Sequence, residues 1–66
     1  MGKVYVELRA NAWAISLTDY ENLPTNSAGL KRAIEMPNGT QLEVFNKTTG
    51  KIEKYAECIN YIWYER

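Results

Sequence analysis

The sequence predicts an α+β fold: a small antiparallel sheet of four or five strands in the order β-β-α-β-β, with one short helix packed on one face. Three observations lead there. Residues 3–9 alternate with a period of two, the segment LEVFNKTTGKIEKY reads as a hairpin, and the turn-rich middle of the chain has room for one short helix.

In the first run, Val4, Val6 and Leu8 fall on one side and Tyr5, Glu7 and Arg9 on the other, the pattern of a half-buried strand. After Ala10-Asn11-Ala12 the period repeats, with Trp13, Ile15 and Leu17 against Ala14, Ser16 and Thr18, so a second strand pairs antiparallel with the first. Residues 18–29 (TDYENLPTNSAG) are rich in turn formers. Thr18 and Glu21 fit a capping box, but Pro24 stops any helix begun there within about one turn. Asn26 or Ser27 then caps the expected helix, which runs to Met36 with Leu30, Ala33 and Ile34 on one face. Pro37-Asn38-Gly39 ends it.

The hairpin is the clearest local signal, because Gly50 can take the left-handed backbone conformation that closes its loop. Pairing Asn46 with Lys51 sets Phe45 opposite Ile52, Glu43 opposite Lys54 and Leu42 opposite Tyr55. The opposed charges favour that register.

The last twelve residues, Tyr55 to Arg66, hold four of the eight aromatic residues. Read as one strand, bent near Cys58-Ile59, they place Tyr55, Ile59, Tyr61 and Trp63 on one face and Ala56, Cys58, Ile62 and Tyr64 on the other. Both faces are then apolar, although a sheet open to water on one side needs only one apolar face. Residues 52–65 also fall near helical spacing. Their isoleucine and aromatic density, and the extended hairpin before them, favour strand.

The 66 residues make one domain (1–66) of a size that buries only about 60% of its unfolded surface, so a docked partner or a second copy would add to a small stability margin. Eight basic and eight acidic side chains cancel, leaving no overall field to draw the protein to nucleic acid or to an anionic membrane. No stretch has the length and apolarity of a membrane span, and MGKVYVELR lacks the apolar core of a signal peptide. The expected location is the cytoplasm. A lone Cys58 fits a reducing compartment, and the triplets beginning at Asn38 and Asn46 read as turns rather than glycosylation sites.

Catalytic chemistry is hard to assemble from these residues. There is no histidine, Cys58 lacks an imidazole to activate it, and Asp19 with Glu21 reads as a pair of solvated turn carboxylates. Thr48-Thr49-Gly50-Lys51 resembles the end of a phosphate-binding loop, but Phe45 and Ile52 occupy the positions where that loop needs glycine and a hydroxyl. No metal site and no cofactor are expected.

The aromatic tail therefore points to binding. The expected function is a non-enzymatic protein-binding module, in the style of the small inhibitors with which phages and mobile elements block a larger host protein, with Tyr61, Trp63 and Tyr64 as the contact residues. A homodimer through the same tail is expected as well. The alternative is a weak single-stranded nucleic-acid binder that stacks bases on those aromatics while Lys47, Lys51 and Lys54 meet phosphates. A third reading is an oligomer that sequesters a small ligand at a subunit boundary.

Overall fold

The structure, a computed structural model, describes residues 4–66. Its order is β1 (Val6–Arg9), β2 (Ala12–Ser16), α1 (Leu17–Glu21), β3 (Gln41–Phe45), β4 (Ile52–Ile59) and β5 (Ile62–Glu65). The five strands lie in sequence order in one sheet, so the α+β class holds. The sheet is mixed rather than all antiparallel, because β2 and β3 pair parallel. Residues 17–40 make this possible: a parallel pair needs a crossover of a dozen or more residues, and this segment supplies one.

The helix lies elsewhere than expected. It is the five-residue α1, capped by Ser16, whose hydroxyl accepts the Asp19 N–H at 3.1 Å and donates to the Asp19 carboxylate at 2.9 Å. Residues 26–36 form no helix. Asn26 does bond downstream N–H groups, those of Ala28 and Leu30, but closes a loop with them, and Gly29 and Glu35 take left-handed φ values of 83° and 66°. Residues 31–33 spend their backbone groups on β5 instead: Ala33 N–H donates to the Tyr61 carbonyl at 2.7 Å and Trp63 N–H to the Lys31 carbonyl at 2.8 Å. That short extended piece covers the outer edge of β5.

β1 and β2 pair antiparallel as expected, but with β1 turned over. Tyr5 packs against the core while Val4, Val6 and Leu8 face out. The reason is a partner for the ring: the Trp63 indole N–H donates to the Tyr5 hydroxyl at 3.2 Å, and the ring centroids lie 6.2 Å apart. Those residues belong to opposite edges of the sheet, which in a flat sheet of this width would be about 19 Å apart. The sheet is therefore curled around its inner face.

That face holds Ile15, Leu42, Val44, Ala56, Cys58 and Trp63, closed over by Tyr20 of α1 and by Ala33. Leu17, Leu23, Met36 and the half-buried Trp13 pack around them.

The β3–β4 hairpin forms, with Gly50 at φ 76° and Asn46 bonded to Lys51. Phe45 faces Ile52 as expected, but a bulge then shifts the register by one, so Glu43 faces Tyr55 and Leu42 faces Ala56. A one-residue slip exchanges the faces of a strand. Here it brings small Ala56 into the core and turns Tyr55 out. The expected Glu43–Lys54 pair is not formed; Lys54 lies opposite Val44 and reaches Glu65 at 3.7 Å.

Candidate functional site

The tail is two strands, not one. Ile59 faces Ile62 across a two-residue turn in which Asn60 (φ 52°) and Tyr61 (φ 63°) are both left-handed, the geometry of a type I′ hairpin turn. Pairing across such a turn reverses the parity of the faces. Cys58 pairs with Trp63 and Ala56 with Glu65 on the inner face; Ile59, Ile62, Glu57, Tyr64 and Tyr55 lie on the outer one.

The three expected contact residues consequently separate. Trp63 is 1% exposed and belongs to the core, which corrects its reading as an exposed anchor. Tyr64 is exposed on the outer face of β5, and Tyr61 is 60% exposed at the turn. Ile59 and Ile34 are exposed at the same end of the molecule, Ile34 following the Ala33 that donates to the Tyr61 carbonyl. Tyr55 extends the outer face further along β4. The outer face carries exposed Tyr55, Ile59 and Tyr64 interleaved with Glu43 and Glu57, with Tyr61 at the turn and Ile34 from the loop beside them. The sequence places Ile34 on a helix face because residues 31–33 carry no mark of strand pairing.

The strain at Tyr61 is specific. Type I′ turns favour Asn-Gly because both central residues have positive φ. Asn60 fits that rule and Tyr61 does not, since an aromatic residue in the left-handed region costs about 1–3 kcal/mol. Its side chain is 60% exposed, so burial offsets little of that cost.

The three lysines do not join these aromatics. Lys47 and Lys51 are exposed on the β3–β4 loop, at the other end of the eight-residue β4, roughly 25 Å from Tyr61 at the usual rise per residue. Lys54 points to the inner face, where it pairs with Glu65 and sits 5.8 Å from the Tyr20 ring centre. Tyr55 and Tyr64 have Glu43 and Glu57 as their cross-strand neighbours, and Glu57 is bonded by Arg66 at 2.8 Å. Carboxylates beside the stacking rings repel phosphate.

The chain matches no protein-family model, and neither curated proteins nor solved structures show significant similarity to it.

Elsewhere the chemistry is that of a closed core. Burial pushes the Cys58 thiol pKa up, and its Sγ donates to the Met36 carbonyl at 3.4 Å, so the reactive thiolate is disfavoured. Among the described residues every buried side-chain polar atom has a partner, and no three potential metal-ligating side chains converge. A cleft of about 340 Å³ opens beside Leu30, Lys31, Tyr64 and Glu65, with Tyr20 and Trp63 behind it. Two of its polar groups are already engaged: Glu65 accepts from the Tyr20 hydroxyl at 2.9 Å, and Lys31 donates to the Glu21 carbonyl. No helix among the described residues is long and apolar enough to cross a membrane.

Proposed function

We propose that this protein is a non-enzymatic protein-binding module, a small cytoplasmic inhibitor that docks on a larger protein through the turn end of the β4–β5 hairpin. The observation that carries the reading is Tyr61, a bulky aromatic held at φ 63° and 60% exposed where glycine would relieve the turn. Tyrosine joins contact area to a polar tip at low conformational cost, which suits it to anchor an interface. Ile34 and Ile59 flank it as apolar contacts, and Tyr64 and Tyr55 continue the surface along the outer face. A partner with a concave apolar pocket matches this convex tip.

The test is capture of the partner from the native host, followed by the same measurement with Tyr61→Ala. Binding should weaken by about 2 kcal/mol or more, roughly thirtyfold, with the fold intact and with little dependence on salt. A complex unchanged by Tyr61→Ala, or one that dissolves steeply as salt is raised, would overturn it.

A further inference from the structure

Residues 36–40 form a strap fastened to the end of β4. Gly39 N–H donates to the Cys58 carbonyl at 2.9 Å, and Cys58 N–H donates to the Thr40 carbonyl at 2.9 Å. The Cys58 thiol reaches the Met36 carbonyl at 3.4 Å, and Asn60 N–H donates to the Asn38 side-chain oxygen at 2.8 Å. Asn38 therefore holds the first residue of the turn that carries Tyr61.

Asn38 is also the one asparagine of the chain followed by glycine. Asn11, Asn22, Asn26, Asn46 and Asn60 precede Ala12, Leu23, Ser27, Lys47 and Tyr61. The neighbour matters chemically. The backbone nitrogen of the residue after an asparagine can attack the side-chain carbonyl carbon and close a cyclic imide, and a side chain on that residue obstructs the approach. Gly39 has none, and both Asn38 and Gly39 are exposed to water. What restrains the reaction is the strap: the attacking nitrogen is committed through its proton to Cys58, and the carbonyl under attack is held by Asn60.

We infer that Asn38 is a deamidation site that the fold holds shut and that local opening of residues 36–40 exposes. Once the strap lifts from β4, the Gly39 nitrogen gives its proton to hydroxide and bonds to the Asn38 Cγ. The side-chain nitrogen takes a proton from water and leaves as ammonia. Water then opens the imide at either carbonyl, to aspartate or isoaspartate, so that one water enters and one ammonia departs overall. Each product adds a negative charge beside the β4–β5 turn. Isoaspartate also lengthens the backbone by one atom, so the strap no longer matches its register on β4. The chemistry is independent of any partner of Tyr61.

Intact mass and peptide mapping at mildly alkaline pH follow the exchange of amide for hydroxyl, in the folded chain and in the same chain in concentrated urea. In urea Asn38 should convert before every other asparagine, and Gly39→Ala should suppress that conversion, since no fold intervenes there. In the folded chain, with circular dichroism showing that it stays folded, Asn38 should convert at least about tenfold more slowly, the factor that about 1.4 kcal/mol of opening free energy supplies. Conversion equally fast with and without urea would overturn the inference. So would earlier conversion of another asparagine in urea, or a Gly39→Ala chain that converts at Asn38 as fast as the parent.

Discussion

The indole N–H of Trp63 donates to the hydroxyl of Tyr5 at 3.2 Å, linking the last strand of the sheet to the residue just before the first. With it the curled sheet closes over its own core. Removing the indole should cost about 3–5 kcal/mol, close to the whole margin of so small a domain, so Trp63→Ala should be largely unfolded. Tyr5→Phe isolates the hydrogen bond: it leaves a buried donor unpaired and should lower stability by about 1–3 kcal/mol in urea unfolding with the slope unchanged. Trp13→Ala, at a half-buried site, should cost less than Trp63→Ala.

Gly50 sits at φ 76° with nothing within 4 Å of the position a side chain would take. A substitution there meets no clash, so its whole cost is conformational. Gly50→Val should destabilise by about 1–2 kcal/mol, and Gly50→Asn by less, because asparagine tolerates the left-handed region. Thermal melts of the two variants separate strain from crowding, since both add a side chain.

Much of the architecture was legible because it is written in local signals. The period-two runs and the NKTTGK loop identify β1, β2 and the β3–β4 hairpin, and Gly50 adopts the backbone conformation its position implies. What was not legible depends on long-range choices. The β4–β5 turn carries Asn60-Tyr61 in place of Asn-Gly, so the two strands read as one, a reading that puts Trp63 on the outside. Residues 26–36 have caps and a plausible apolar face, but their backbone is claimed by β5, a pairing that no local pattern records. The bulge between Phe45 and Val44 similarly reassigns Tyr55 and Lys54, a choice made by the fit of Ala56 into the core. For the candidate site, the sequence indicated the aromatic tail and Tyr61, while Ile34 joined only through the fold.

Tyr20 gives the protein an alkaline limit. Burial first, and then the bond it donates to Glu65, raise its pKa above the ordinary tyrosine value near 10. Below about pH 10 the hydroxyl is protonated in both folded and unfolded chains, and its contribution to stability is fully present. As pH rises further the unfolded chain loses the proton while the folded chain retains it, so stability falls. Urea unfolding should therefore give a midpoint that begins to fall near pH 9, where the unfolded Cys58 thiol ionises and the buried one does not, and that falls more steeply above pH 10. Tyr20→Phe should reduce the decline above pH 10, leaving the smaller slopes of Cys58 and Tyr5, whose pKa values burial also raises. A midpoint that climbs between pH 10 and 11 would contradict the sign.

Tyr61 separates stability from function most sharply. If its ring is retained for a partner, the turn carries strain that the free protein does not need, and relieving it should stabilise the fold. Tyr61→Gly creates the Asn-Gly pair favoured in type I′ turns and should raise stability by about 1 kcal/mol, or roughly 4–8 °C in melting temperature for a domain of this size. The same change removes the anchor and should abolish partner binding. Tyr61→Ala removes the ring but keeps the left-handed strain, so it should lose binding without the gain in stability. Differential scanning calorimetry on the three proteins, beside one binding assay, distinguishes the cases. A melting temperature lower in Tyr61→Gly than in the parent would mean that the ring contributes to the fold itself, and the strain would then have no claim on function.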